Sequence, residues 1–357
     1  MKENITVKAP ARICFFGDHQ DYLGLPVIAA TIDRYIYMDA QPMAEKKLVI
    51  ELLDFSQTLE IHLNEDLKHL KPRDYFRSAL RVLRKEGVHL NQGYHIQVWG
   101  DIPIQSGLSS SSAIVVAWIR LILKIAKPQA IYSDKKIAEL SYAAEVLEFN
   151  EPGGIMDHYT IALGGLLYID TATKAYKKLQ SPWDHLIVVD SGLEKKTIDV
   201  LSRIKTHALE ALKIVQHKHP SFDLFHATAA DLNRTIELLP PELRPIWSAA
   251  IHNHLITQKG LTELQKPTAD ISQLHRLIEA HQNILQNDLK NTPDAMVEMM
   301  QVAQSNGGRG IKIVGSGGGG CFIVFTNQTS ALDLVDTLKT HGVKDAFITQ
   351  ITSVADV

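Results

Sequence analysis

The stretch DIPIQSGLSSSSAIVVAW, residues 101–118, decides the fold of this chain, because it joins a turn and four consecutive serines to a long apolar run. Apolar residues on nearly every side predict a buried helix from Ser109 to about Lys127. A turn at the start of such a helix presents free backbone N–H groups and the positive end of the helix dipole, which favour an anion. One serine is enough to cap a helix, so four hydroxyls near Gly107 favour phosphate binding over capping alone.

Length and composition indicate a globular protein that acts on small molecules. The 357 residues exceed the roughly 250 to 300 at which a single core stops growing, so we expect two domains. A net charge of -3 without a long basic block predicts neither a nucleic-acid nor a membrane partner, and leaves the oligomeric state open. No stretch is apolar enough for a signal peptide or a membrane span, so we expect a cytoplasmic protein, with Cys14 and Cys321 as buried thiols rather than a disulfide.

The order of patterns along the chain predicts a mixed α and β architecture. Strand-like stretches fill the first third, and a helix in DYFRSALRVLRKEG ends at Gly87. After the serine-rich helix come a helix capped by Ser133, a short helix IMDHYTIAL, and the strands LLYID and HLIVVDSG. Residues 193–306 read as mostly helical, and strands return at the end. This shift in composition predicts domains 1–182 and 183–357.

The glycine run in IKIVGSGGGGCFIVF predicts a strand, a turn and a second strand. Gly315, Gly317 and Gly320 fit the spacing G-x-G-x-x-G, but CFIVF follows where a dinucleotide-binding motif needs a helix. No lysine follows the glycines, which also excludes a Walker-type phosphate loop. Glycines here allow a close approach of the backbone to a ligand or a neighbouring loop, and a flexible hairpin tip is the alternative.

Three histidine-containing stretches could in principle bind a metal. GDHQDY places Asp18, His19 and Asp21 in a turn after a strand, where either a solvated turn or a metal site fits the residue types. The triplet HNH at 252–254 lies on a predicted helix without the spacing of metal ligands, and HKH at 217–219 lies at a helix end. We expect both triplets on the protein surface.

Carboxylates in the third and fourth predicted helices are candidates for catalysis. Glu145 lies within an apolar helix, and Asp157 lies in the first turn of the next helix, where the helix dipole favours its ionised form. The apolar neighbours of Asp157 predict partial burial. Glu148 and Glu151, in contrast, are expected on a solvated helix face.

Four of these stretches together resemble the GHMP kinases, the family of galactokinase, homoserine kinase, mevalonate kinase and phosphomevalonate kinase. DIPIQSGLSSSSA is similar to the phosphate-binding motif, and APARICFFGDHQDYLGLPVIAATID is similar to the N-terminal motif in its galactokinase form. AAEVLEFNEPGGIMDHYTIALGG resembles the segment with the magnesium-binding glutamate and the catalytic aspartate, and IKIVGSGGGGC resembles the glycine-rich C-terminal motif. The resemblance implies the two-domain α+β GHMP kinase fold, with the active site between the domains.

The resemblance also implies roles for individual residues in an ATP-dependent phosphorylation, expected at the anomeric hydroxyl of a sugar. Asp157 accepts the substrate proton or only orients the hydroxyl, and Arg12 pairs with it. Ser111 and Glu145 hold Mg²⁺, with Ser110 and Ser112 as alternatives to Ser111. The remaining implied contacts are with ATP phosphates (Gly107, Leu108, Ser109, Ser110, Ser111, Ser112), with the sugar (Asp18, His19, Asp21, Tyr22) and within the glycine-rich motif (Gly315, Gly317, Gly318, Gly319).

The resemblance leaves the identity of the substrate open. Galactokinases carry glutamate at the position of Asp18 and glutamine at the position of His158, where a substrate contact is conceivable. A glucuronokinase, whose phosphate loop IPIQSGLSSSSAIV also resembles, and a mevalonate-type kinase, which shares the glycine-rich C-terminal motif, are alternatives. An alternative of another class is a regulator that binds ATP and sugar without turnover, which the intact set of Glu145, Asp157 and the serine loop argues against.

Overall fold

The computed structural model describes residues 4–104, 106–127, 129–194 and 197–353, which form two β-sheets and ten α-helices. The first sheet contains β1 (Ile5–Phe16), β2 (Val27–Met43), β3 (Lys47–Leu52), β4 (Gln57–His62), β5 (Gly93–Gly100), β6 (Leu166–Asp170) and β7 (Ala175–Leu179). The second sheet contains β8 (Leu186–Asp190), β9 (Arg309–Ile313), β10 (Cys321–Phe325) and β11 (Asp345–Thr349). The helices are α1 (Tyr75–Lys85), α2 (Ser110–Ala126), α3 (Asp134–Tyr142), α4 (Met156–Leu163), α5 (Thr197–Lys218), α6 (Ala229–Thr235), α7 (Arg244–Leu264), α8 (Ile271–Asn287), α9 (Asp294–Ser305) and α10 (Ala331–Thr340). Within the described ranges, none of the helices has the length and apolar character needed to cross a membrane.

The first sheet is built on the long antiparallel pair β1 and β2, whose register runs from Ile5 opposite Ala40 to Phe16 opposite Ile28. The sheet order is β4-β3-β5-β2-β6-β7, and β1 pairs with β2 outside this path. The pairing of β3 with β5 is parallel, and the other pairings in this sheet are antiparallel. Strand β7, which the sequence pattern did not predict, is an almost fully exposed edge strand and so lacks the alternation that marks a half-buried strand.

Helix α2 is the buried helix that its sequence predicts. It packs against β1, β2, α1, α3 and α4, and its central Trp118 is fully buried. Its apolar residues on all sides match this environment, because a helix surrounded by other elements has no solvated face. The helix therefore fixes the serine loop that precedes it against the centre of the first sheet.

The second sheet has the order β11-β8-β10-β9, with antiparallel pairs throughout. Strands β9 and β10 flank the glycine run, with Phe322 opposite Ile313, so the predicted strand, turn and strand are confirmed. The two sheets pack together through the rings of Phe15, Trp183 and Phe325, whose centroids lie 4.7 to 6.0 Å apart. The chain passes from one sheet to the other between β7 and β8, and the division into 1–182 and 183–357 stays a prediction.

Burial of the cysteines and of the two histidine triplets tests the predictions made for them. Cys14 and Cys321 are buried free thiols, as expected. The HKH triplet at 217–219 is exposed, also as expected. The prediction for HNH was wrong at His254, which is 0% exposed and shares a hydrogen bond of 2.6 Å with the carbonyl oxygen of Phe225.

The prediction for Glu148 was also wrong, because this residue does not lie on a solvated face. Its side chain is only 13% exposed and forms ion pairs with Arg81 and with Lys85, the latter at 2.7 Å. Both cations belong to α1, which packs beside the π-helical turn Ala143–Leu147 that directly precedes Glu148. The packing of these two elements, rather than the helical period of either, covers the carboxylate.

Candidate active site

A cavity of about 670 Å³ opens between loops of both sheets. The predicted residues that line it are Arg12, Asp18, His19, Asp21, Gly107, Ser109, Ser110, Ser111, Ser112, Glu145, Asp157 and Gly315. Residues from the serine loop, the GDHQDY loop, the segment around α4 and the glycine-rich turn thus meet at one place. Leu108, Tyr22, Gly317, Gly318 and Gly319 are not among the described residues that line the cavity.

The reacting centre suggested by the sequence is an ion pair between Arg12 and Asp157. Arg12, on β1, donates from Nε and from its second terminal nitrogen to the two carboxylate oxygens of Asp157, each at 2.7 Å. Its remaining terminal nitrogen donates to the carbonyl oxygen of Gly107 at 2.5 Å. Arg12 therefore ties the first turn of α4 to the serine loop.

This pairing fixes the charge of Asp157. Burial raises the pKa of its carboxyl group, but the charge and hydrogen bonds of Arg12 and the Ser109 hydroxyl outweigh burial and lower the pKa to about 2. The carboxylate is therefore ionised at neutral pH and accepts hydrogen bonds at both oxygens. Such a group is a weak proton acceptor, but it can hold a substrate hydroxyl in a fixed orientation.

Ser109 connects the serine loop directly to Asp157. Its backbone is left-handed, with φ 60° and ψ 47°, and its hydroxyl donates a short hydrogen bond to Oδ2 of Asp157. A left-handed serine is strained, and such strain is typical of functional sites. Of the next three serines, Ser111 is exposed and Ser112 is buried.

Glu145 lies in the π-helical turn Ala143–Leu147 at the end of α3. Its side chain is buried, and Oε2 contacts Nε2 of His158 at 2.6 Å. His158 is also buried, 2% exposed, and its Nδ1 has no hydrogen-bond partner among the described residues. His158 therefore holds the glutamate in place, while both side chains line the cavity.

The GDHQDY loop places two further carboxylates at the cavity. Asp21 accepts a hydrogen bond from the backbone N–H of Tyr22 at 2.9 Å. Burial, together with the negative charge of Asp157, raises the pKa of Asp21 to about 6. His19 has a left-handed backbone, φ 62°, and its Nε2 lies 2.9 Å from the carbonyl oxygen of Ser316 in the glycine-rich turn.

Asp18 forms a buried ion pair that sequence reasoning missed. Its Oδ2 accepts a hydrogen bond from Nζ of Lys312 on β9, and both side chains are almost completely buried. The signal was present in IKIVGSGGGGC, because a lysine inside a buried apolar strand requires a partner of opposite charge. The identity of that partner was not readable from the sequence.

The rim of the cavity holds a polar cluster that was also missed. Glu151, expected on a solvated face, lines the cavity and accepts a hydrogen bond from the Tyr75 hydroxyl at 2.9 Å. It also pairs with Arg73 at 3.4 Å. The loop between the π-helical turn and α4 turns this carboxylate inward, which a helical extrapolation past Asn150 does not foresee.

Comparison with known proteins agrees with this arrangement. Three sequence models match: the GHMP kinases N terminal domain over residues 74–165, the GHMP kinases C terminal domain over residues 261–344, and the galactokinase galactose-binding signature over residues 1–42. The mevalonate kinase of Thermococcus onnurineus is 27% identical over 331 residues, covering 89% of this chain and 87% of its own. The galactokinase of Pyrococcus furiosus is 25% identical over 350 residues, covering 96% and 92%.

Solved structures share the fold over nearly the whole chain. Lactococcus lactis galactokinase complexed with galactose superposes with a TM-score of 0.87 at 21% identity, covering 99% of this chain and 94% of its own. Methanococcus jannaschii mevalonate kinase superposes with a TM-score of 0.74 at 20% identity, covering 99% of both. The fold is therefore the α+β GHMP kinase fold with N- and C-terminal domains, as predicted.

The matched family models and the kinase relatives show that the chain is a small-molecule phosphotransferase, a kinase that uses ATP. The chain belongs to the GHMP kinase family, and within it the chain is galactokinase-like.

Proposed function

We propose that the protein transfers the γ-phosphoryl group of ATP to the anomeric hydroxyl of a neutral sugar, with galactose as the leading candidate. The observation that carries the proposal is the presence of Asp18, Asp21 and Asp157 around the same cavity as the serine loop. Carboxylates are strong acceptors for neighbouring hydroxyls, so this end of the cavity suits a polyol. The galactose-binding signature over residues 1–42 supports the same choice.

A neutral sugar suits this cavity better than a substrate with its own carboxylate. The described residues that line the cavity include two basic side chains, Arg12 and Arg73. Arg12 is engaged by Asp157 and Gly107, and Arg73 pairs with Glu151. A uronic acid or mevalonate would therefore bring a negative charge to a cavity whose described lining residues offer it no free guanidinium.

The serine loop is proposed to bind the β- and γ-phosphates of ATP. The backbone N–H groups at the start of α2 and its dipole favour anions, and Ser110 to Ser112 add hydroxyl donors. Arg12 holds this loop through the carbonyl oxygen of Gly107, at 2.5 Å. The N-terminal end of α2 then lies next to Asp157, so phosphate and acceptor hydroxyl can meet in line.

The residues present also fit a magnesium ion bound together with ATP. Glu145 offers a carboxylate that His158 orients through Oε2, and the hydroxyl of Ser111 is exposed at the same cavity. In the described part of the chain, no cluster of three or more His, Cys, Asp or Glu side chains could hold a metal by itself. Mg²⁺ takes one or two protein ligands and otherwise water and phosphate oxygens, and it would neutralise phosphate charge here.

Asp157 is proposed to orient the substrate hydroxyl rather than to take its proton early. With a pKa of about 2 it is a poor base, and its oxygens are already held by Arg12 and Ser109. Phosphoryl transfer depends mainly on positioning and on stabilisation of charge, so a weakly basic carboxylate is sufficient. Arg12 keeps Asp157 ionised and fixes its two oxygens.

A substrate panel tests the proposal. ADP release is measured with galactose, glucuronate, galacturonate, arabinose, fucose, mannose, mevalonate and homoserine, and the phosphorylated position is read by phosphorus NMR. We expect turnover of a neutral aldose, galactose first, and none with the uronates, mevalonate or homoserine. Turnover of mevalonate with no active sugar would overturn the sugar assignment, and binding of ATP and sugar without turnover would indicate a regulator.

A further inference from the structure

Lys312 is a fully buried lysine that the proposed reaction does not use. It lies on β9 in the second sheet and is 0% exposed. Its Nζ donates to Oδ2 of Asp18, to the carbonyl oxygen of Cys14 at 3.1 Å and to that of Ile313 at 2.8 Å. An ammonium group has three donors, so these three acceptors leave none for a ligand.

The neighbouring His281 carries no charge that could replace the ammonium group of Lys312. His281 stacks on Phe16 with ring centroids 6.4 Å apart, and burial together with the charge of Lys312 lowers the pKa of His281 to about 3. His281 is therefore neutral at physiological pH. Burial by itself raises the pKa of Asp18, but the nearby Lys312 charge holds the pKa below its ordinary value, so Asp18 remains ionised.

The two oxygens of Asp18 differ in their surroundings. Lys312 occupies Oδ2, whereas Oδ1 is buried and has no hydrogen-bond partner in the described part of the chain. Asp18 nevertheless lines the cavity. An unpaired buried carboxylate oxygen is unfavourable, and a ligand hydroxyl would satisfy it.

We propose that Lys312 is a positioning residue for sugar recognition, which holds Asp18 so that it accepts a hydrogen bond from one sugar hydroxyl through Oδ1 alone. The proposal rests on the proposed sugar kinase function. The same ammonium group bonds to Cys14 on β1, so it fixes Asp18 relative to the strand that carries Arg12. A residue of the C-terminal half thereby contributes to the choice of sugar without touching it.

The test compares Lys312→Met, Asp18→Asn and the double variant with the wild type. Substrates are the accepted sugar and its monodeoxy derivatives, each lacking one hydroxyl. We expect the wild type to disfavour one derivative roughly 10- to 100-fold in kcat/KM, because a hydrogen bond to a charged group is lost. In Lys312→Met the sugar KM rises by a similar factor, the ATP KM does not change, and discrimination against that one derivative disappears.

The double variant guards against a folding defect. Removing one partner of a buried ion pair leaves an uncompensated charge, whereas Asp18→Asn with Lys312→Met leaves a neutral pair. We expect the double variant to unfold at a higher urea concentration than either single variant, and to show the same lost discrimination. Lys339→Met is the matched control, because Lys339 is an exposed lysine paired with Asp345 at 2.9 Å, and it should keep wild-type kinetics.

The outcomes separate this inference from the function on which it rests. If the wild type phosphorylates no sugar, the proposed function fails and the inference with it. If the wild type phosphorylates a sugar, and folded Lys312→Met or the double variant keeps both the wild-type sugar KM and the wild-type discrimination, only the positioning role is overturned.

Discussion

At the scale of single residues, one guanidinium group organises the proposed reacting centre. Arg12 uses three nitrogens on two partners, the carboxylate of Asp157 and the carbonyl oxygen of Gly107. Because the arginine is 5% exposed, solvent competes little for these bonds, and the geometry of a bidentate pair is retained. The charge state of Asp157 and the position of the serine loop therefore depend on the same side chain.

Replacement of Asp157 tests its place in the reaction. Asp157→Asn keeps the size of the side chain but removes its charge and one acceptor for Arg12. We expect kcat to fall by roughly 10²-fold or more, because the substrate hydroxyl loses the group that orients it, while ATP affinity, measured by calorimetry, stays nearly unchanged. Asp333→Asn, at an exposed position on α10, is the control. Wild-type turnover in Asp157→Asn would exclude the aspartate from the reaction.

We predict that Asp21 makes sugar binding depend on pH. Its pKa is raised to about 6, so the carboxylate is ionised above this pH and gains a proton below it. A protonated carboxyl group accepts hydroxyl hydrogen bonds poorly, so the sugar KM should rise about tenfold for each pH unit below 6. Initial rates at varied sugar concentration and saturating ATP measure this. A sugar KM that is constant from pH 7 to pH 5 would contradict the prediction.

The raised pKa of Asp21 also predicts how the free energy of unfolding changes with pH. The sign is opposite to that of a carboxylate in a salt bridge, whose pKa is lowered. An acid whose pKa is higher in the folded than in the unfolded state destabilises the fold when ionised, and the penalty disappears as pH falls towards its ordinary value. Asp21→Asn should therefore raise the free energy of unfolding at pH 7 and have a smaller effect near pH 4. Urea titrations at the two pH values give the comparison.

At the scale of elements, the loop before α4 fits closely around Asp21. A Cβ atom on Gly154 would lie 2.0 Å from Oδ2 of Asp21, whereas one on Gly153 would meet Val146 at an ordinary 3.5 Å. Neither glycine has a positive φ, so an alanine adds no backbone strain at either position. Gly154 thus leaves the space in which the Asp21 carboxylate lies.

Alanine at these two glycines gives a matched pair. In Gly154→Ala the carboxylate of Asp21 must leave its present position, so we expect the sugar KM to rise roughly 10- to 100-fold with the ATP KM unchanged. Gly153→Ala should retain wild-type values of both constants. Equal sugar KM values for the two variants would show that the position of Asp21 does not matter for binding.

At the scale of the whole molecule, the glycine-rich turn joins the second sheet to the serine loop. The backbone N–H of Cys321 donates to the carbonyl oxygen of Ser106 at 2.6 Å, and a Cβ atom on Gly320 would lie 2.3 Å from the same oxygen. The atoms that such a Cβ would meet belong to the backbone of Ser106, so no flexible side chain can move aside. The phosphate loop proposed for the N-terminal half is thus held by a turn of the C-terminal half.

Gly320→Ala tests this junction against Gly342→Ala. Both glycines have positive φ, 82° and 89°, but a Cβ atom on Gly342 meets nothing within 4 Å. Both variants therefore bear the left-handed strain of about 1 kcal/mol, and only Gly320→Ala adds a backbone clash. We expect Gly320→Ala to unfold at a clearly lower urea concentration and to raise the ATP KM. Similar effects in both variants would mean that the junction does not position the loop.

The sequence by itself determined the features that depend on local chemistry. The all-round apolar pattern fixed α2, Ser133 capped α3 as expected, and CFIVF after the glycines identified a strand rather than a helix. Hydrophobic periodicity, caps and turn residues act within a few positions of the chain, so they are legible without knowledge of what packs against them. The resemblance of a short motif singled out Glu145 and Asp157, and the structure places both at the cavity, while their roles stay predictions.

Only the tertiary structure decided which groups meet and which are covered. Asp18 and Lys312 are 294 positions apart, and packing of the two sheets brings them together. The sequence around either residue therefore does not reveal its partner. Burial of His254 and Glu148 likewise depends on neighbouring helices that the local pattern does not contain. Charge state and solvent exposure follow from long-range contacts, and these contacts, rather than local propensity, leave the buried Oδ1 of Asp18 without a hydrogen-bond partner in the described part of the chain.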